Sequence, residues 1–195
     1  LAESIGESFV DDEVITLQHR LDRSGTVVCM ADGTELEALP AVLYAGDAAV
    51  DAHGVCVFGF AIDPSLQPSN TEIDRATLRI WMAPDSGAPE SLGPLVVSHL
   101  EGHPDALLAT GQIPHPADSD VGTITSPFAA GWRDVDVTSA FLQDWNAGRS
   151  ISAFAVRLST ATNGDAQPDT LVFDGTDGNG QAVTTHLILR FSLDL

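Results

Sequence analysis

The stretch "RATLRIWM", residues 75–82, alternates without a break. Ala76, Leu78, Ile80 and Met82 fall on one side, and Arg75, Thr77, Arg79 and Trp81 on the other. A period of two belongs to a β-strand, whose successive side chains point to opposite faces of a sheet. One face is apolar and the other mostly polar, as expected of an antiparallel strand resting on a core. Two further stretches repeat the pattern. In "VCVFGFAI", residues 55–62, Cys56, Phe58, Phe60 and Ile62 share a face opposite the small Gly59 and Ala61. In "THLILRFSL", residues 185–193, Leu187, Leu189, Phe191 and Leu193 stand against His186, Ile188, Arg190 and Ser192. All three read as half-buried antiparallel strands.

Shorter apolar runs surround them: "VVCM", "AVLYAG", "GPLVVSHL", "GWRDVDVT", "ISAFAVRLS" and "DTLVFDG". Most are bounded by Gly, Pro, Asn or Asp, at spacings typical of a sandwich. "DVTSAFLQDWNAG" departs from the strand period. Val137, Phe141 and Trp145 recur at helical spacing there, with Thr138 or Ser139 available as a cap and Gly148 as a stop. Residues 84–94 and 104–127, rich in Pro and Gly, read as loops or weak edge pieces. No repeat and no long linker divides the chain. The expectation is a single all-β domain over residues 14–195, an antiparallel β-sandwich of jelly-roll type with one short α-helix. Residues 1–13, "LAESIGESFVDDE", read as the exposed acidic lead of a processed or truncated protein.

The chain of 195 residues is 44% hydrophobic, enough to bury a core. It carries 28 acidic residues against 8 basic ones, all arginine, for a net charge of -20. Such a charge repels phosphate backbones, so nucleic acid is an unfavourable partner. No apolar run approaches the ~20 residues needed to cross a bilayer. The acidity reads as solubility in a salty or extracellular medium, or as carboxylates gathered around calcium. Cys29 and Cys56 each sit in a strand-like run, where they either pair across strands or lie buried as thiols.

Three stretches together resemble a known family. "VFGFAIDPSLQPSNTEIDRATLRIWMA" is similar to its strand–loop–strand core. "GWRDVDVTSAFLQDWNAG" is similar to its Trp, Asp-Val-Thr and short-helix signature. "ISAFAVRLS", "DTLVFDG" and "HLILRF" are similar to its closing strands. The family is the DNRLRE-domain group of bacterial secreted modules, akin to carbohydrate-binding modules found beside alginate lyases. The resemblance covers roughly residues 40–195. It implies an extracellular, non-catalytic jelly roll, one module of a larger surface or polysaccharide-degrading protein. The chain departs from the family in having no lysine and in placing "FAIDPS" where an Arg-containing strand end is usual.

Four groups of residues are candidate sites. Trp81 and Arg79 share the polar face of their strand, and with Tyr44 they form a candidate platform for a polysaccharide or another cell-surface glycan. Trp132 and Trp145 read instead as core or helix-packing residues. In "DGTDGNG", residues 174–180, Asp174, Asp177 and Asn179 offer hard oxygen ligands for calcium, while the same composition suits a hairpin turn. "TNGDAQPD", residues 162–169, is a second acidic turn of the same kind. His99, Glu101 and His103 would share one face if their strand continued, and with His115, which follows in "IPHP", they would make a zinc set. Gly102 and Pro104 interrupt that strand, which leaves exposed loop histidines as the simpler account. No Gly-x-Ser-x-Gly elbow, P-loop or His-Glu-x-x-His is present, so no catalytic residue is assigned. A purely structural or adhesive surface module is the alternative to a sugar binder.

Overall fold

The computed structural model describes residues 13–30, 35–48, 52–100, 119–176 and 179–193. In chain order the strands are β1 (Glu13–Gln18), β2 (Gly25–Met30), β3 (Glu35–Pro40), β4 (Tyr44–Ala48), β5 (Ala52–Ala61), β6 (Thr71–Ser86) and β7 (Leu95–Leu100). Then come β8 (Asp120–Ile124), β9 (Gly131–Asp136), the helix α1 (Thr138–Asn146), β10 (Ile151–Leu158), β11 (Asp169–Phe173), β12 (Gly175–Thr176), β13 (Ala182–Val183) and β14 (His186–Leu193). Twelve strands join in one antiparallel sheet of order β1-β14-β6-β11-β4-β5-β10-β7-β8; β9 is added beside β6, and β2 with β3 beside β5. The sheet curls on itself as a β-sandwich, as the alternation led us to expect. β12 and β13 form a separate small hairpin.

The face read from "RATLRIWM" is the core face. Ala76, Leu78, Ile80 and Met82 are fully buried in one cluster with Phe58 and Phe60 of β5, Phe154 of β10, and Leu187, Leu189 and Phe191 of β14. Each such large apolar side chain contributes roughly 1.5–3 kcal/mol on leaving water. Residues from both ends of the strand order meet in this cluster, which is what the curl accomplishes. Phe58 and Phe173 pack edge to face across it, with centroids 5.7 Å apart.

Several expectations change. β5 is not half-buried: Val55 and Val57 on its other face are buried in a second cluster with Leu100, Ala153 and Ala155. β6 runs through Pro84 to Ser86, where residues 84–94 read as loop. Pairing with β9 stops at Met82, so beyond it one edge of β6 is unneeded and a residue without an N–H is tolerated. Leu193, at the end of the apolar face of β14, is exposed.

Cys29 and Cys56 are buried thiols that form no bridge. The register explains why. Cys56 stands opposite Thr26 and Cys29 opposite His53, so the two thiols point to opposite faces of the β2–β5 pair.

α1 forms where the helical spacing places it, with Phe141 fully buried and Leu142 and Trp145 packed against the main cluster. Its start is held differently from the expected Thr138 or Ser139 cap. Asp136 Oδ1 accepts from both the backbone N–H and the hydroxyl of Thr138. The Thr138 hydroxyl oxygen in turn accepts from the Ala76 N–H, which ties the helix to β6. Gly148 ends it at a positive φ of 66°, a conformation that glycine adopts without strain.

Candidate functional site

The outer face of β1, β14, β6 and β9 is laid out in rows by strand register. Gln18, His186, Arg79 and Asp134 make one row, and Thr16, Ile188, Thr77 and Asp136 the next. Val14, Arg190 and Arg75 make a third. At the other end of this face, Trp81 stands directly opposite Trp132. Their rings meet edge to face at 5.4 Å, and Trp132 meets the His186 ring at 5.1 Å in the same manner. The three rings form a continuous, half-exposed aromatic surface in a chain with few aromatics.

Trp132 is therefore not a core residue, contrary to the sequence reading; 37% of it is exposed. The alternation of "GWRDVD" was the available signal. It puts Trp132, Asp134 and Asp136 on one side and Val135, which is buried, on the other. Trp145 does pack on the core as expected.

Arg79 lies beside the aromatic surface. Its Nε and Nη2 donate to the two oxygens of Asp134 at 2.7 and 2.6 Å, a side-on fork. The fork pushes the Arg79 pKa up and, as the largest influence, holds the Asp134 carboxyl below its ordinary range. Arg75 Nε approaches Asp136 at 3.5 Å. The platform thus offers flat rings next to a planar, charged hydrogen-bonding pair.

Tyr44 is not part of it. It pairs with Val172, which pairs with Ala83, placing it two strands from β6. Its ring covers Gly54, where a Cβ would come within 2.4 Å of ring carbon Cε2.

The stretch "DGTDGNG" begins with a carboxylate that already has partners. Asp174 Oδ1 accepts from the Thr185 N–H at 2.6 Å, and Oδ2 lies 2.6 Å from His19 Nε2. Gly175 and Thr176 then pair with Ala182 and Val183 in the small hairpin. Asn179 is placed in the connecting turn, and Asp177 lies outside the described residues. In "TNGDAQPD", Asn163 Nδ2 donates to Asp169 Oδ2, and Asp165 Oδ1 accepts from the Gln167 N–H.

His19 also lies 3.0 Å through Nδ1 from the Ser24 hydroxyl, which accepts from the Gly59 N–H. Ser24, His19 and Asp174 together have the composition of a hydrolytic triad, a coupling invisible in sequence. Their orientation is reversed: a triad turns Nε2 to the serine and Nδ1 to the acid. Ser24 is also fully buried, out of reach of any substrate.

His99 is fully buried rather than an exposed loop residue. Its Nε2 is 2.8 Å from Asp144 Oδ2, and Arg149 Nη1 donates to Asp144 Oδ1 at 2.7 Å. This network fastens α1 to β7. Glu101, His103 and His115 lie outside the described residues. A groove of about 340 Å³ at the start of α1 is lined by Asp120, Asp136, Thr138, Ser139 and Gln143, with no aromatic ring among its described residues.

The chain matches no protein-family model, and no curated protein matches it in sequence.

Proposed function

We propose that this chain is a non-catalytic extracellular β-sandwich module that binds a polysaccharide on the outer face of β14, β6 and β9. The observation that carries the reading is the run of Trp81, Trp132 and His186 beside the Arg79–Asp134 fork. The C–H face of a pyranose is apolar and packs on an aromatic ring, while its hydroxyls need donors and acceptors at the rim. Both are present within two residues along β6. An extended glycan lies along an open sheet face without needing a deep pocket.

The non-catalytic part of the reading is supported by the two histidine–aspartate pairs. Each is consumed in a buried structural network, and the serine on His19 is closed to solvent. The strongly acidic composition suits an extracellular setting. The likeness to DNRLRE-domain modules supports the same reading on the strength of the quoted stretches alone.

The test is affinity electrophoresis of the full chain in gels containing β-glucan, xylan, mannan or alginate. Retardation by at least one polysaccharide is expected, and Trp132→Ala should abolish it while keeping the wild-type fold by circular dichroism. Equal mobility in all four gels would sink sugar binding and favour a structural or adhesive module. Retardation undiminished in Trp132→Ala would move the site elsewhere.

A further inference from the structure

We propose that Asp47 and His53 hold a divalent metal ion of the zinc class between β4 and β5. Asp47 is fully buried, and neither of its carboxylate oxygens has a hydrogen-bond partner. The other buried carboxylates differ from it. Asp144 is bonded to His99 and Arg149. Asp169 accepts from the Ala88 N–H, Ser91 and Asn163. Asp174, only partly buried, is bonded to His19 and to the Thr185 N–H. Asp47 is the single buried carboxylate left bare among the described residues.

The residue directly opposite Asp47 on β5 is His53, whose Nδ1 is also buried without a partner. Two orphaned metal-binding groups therefore occupy facing positions of an antiparallel pair, where Cβ atoms lie about 4.5–5.5 Å apart. A bare carboxylate in the interior is costly, and a histidine that faces it without a hydrogen bond offsets only part of that cost. A cation bound by both groups removes the two deficits together. Metal–ligand bonds of about 2.0–2.2 Å suit side chains at this spacing. The imidazole nitrogen favours zinc over calcium or magnesium, which take oxygen ligands.

Among the described residues no three His, Cys, Asp or Glu side chains converge on one point. The protein thus supplies two side-chain donors here, and backbone oxygen or water completes the sphere. This site is separate from the sugar-binding face and stands or falls without it.

The experiment is isothermal titration of zinc chloride into the full chain after dialysis against EDTA, with calcium and magnesium chloride as comparators. One equivalent of zinc is expected to bind, and calcium at the same concentration is not. Asp47→Asn and His53→Gln should each weaken zinc binding at least tenfold. Thermal melts add a second readout. In EDTA, Asp47→Asn should melt above the wild type, because it removes an uncompensated charge without changing shape. In zinc the wild type should overtake it. Absence of zinc binding by the wild type overturns the proposal, and so does zinc affinity retained by either variant.

Discussion

His19 Nε2 and Asp174 Oδ2 are 2.6 Å apart although 155 positions separate the two residues in sequence. The contact joins the segment between β1 and β2 to the turn between β11 and β12. With a carboxylate on Nε2 and the Ser24 hydroxyl on Nδ1, the neutral ring is suited to carry its proton on Nε2. Asp174→Ala removes the acceptor for His19 and for the Thr185 N–H together. A loss of about 1–3 kcal/mol is expected for each donor left unpaired. Urea unfolding should register the same loss in EDTA and in millimolar calcium. A wild-type stability gain in calcium that vanishes in this variant would instead make Asp174 a metal ligand.

Trp81 and Trp132 pack directly on each other across β6 and β9. Edge-to-face pairs are coupled by about 0.5–1.5 kcal/mol beyond the area they bury. A double-mutant cycle of Trp81→Ala and Trp132→Ala should return a coupling of that size in denaturant melts. Additive losses would show that the rings do not support one another.

Asp134 sets an acid limit on the outer face of β6 and β9. The Arg79 fork holds its carboxyl below the ordinary range, so the folded state binds that proton less readily than the unfolded chain. Its contribution is present above the unfolded value of about 3.9 and is lost as pH falls through the folded one. The pair is close to half exposed, so the effect is modest. Melting temperature followed downward from pH 5 should fall less steeply in Asp134→Asn than in the wild type. Parallel curves would remove the fork from the account of acid stability.

Cys56 is fully enclosed, and burial pushes its thiol pKa well above the ordinary value. Cys29 is buried on the opposite face of the same strand pair. Ellman's reagent should find no reactive thiol in the native protein and two after unfolding in guanidinium chloride. One or none after unfolding would indicate oxidation or a bridge that the register forbids.

Strand periodicity was legible wherever one face of a strand meets the core and the other meets water. That is why β6 and β14 were readable almost residue by residue, and why α1 was visible against them. β5 was less so. Its outer face is buried as well, and an apolar run buried on both sides carries no alternation to show which neighbours cover it. Trp132 was misplaced for a related reason. Its own strand places it outward, but only pairing with β6 supplies Trp81 and His186 as its companions.

Composition and spacing alone determined that this is an all-β domain, where its helix lies, and that its surface is strongly acidic. These properties are local or summed along the chain, so a linear reading reaches them. Tertiary structure alone decided which polar groups meet. Ser24, His19 and Asp174 come together through the curl of the sheet, as do His99, Asp144 and Arg149. The facing of Asp47 and His53 and the joining of Trp81, Trp132 and His186 depend on strand register. A shift of one residue in that register would turn these side chains to the other face of their strands and dissolve both of the meetings that depend on it.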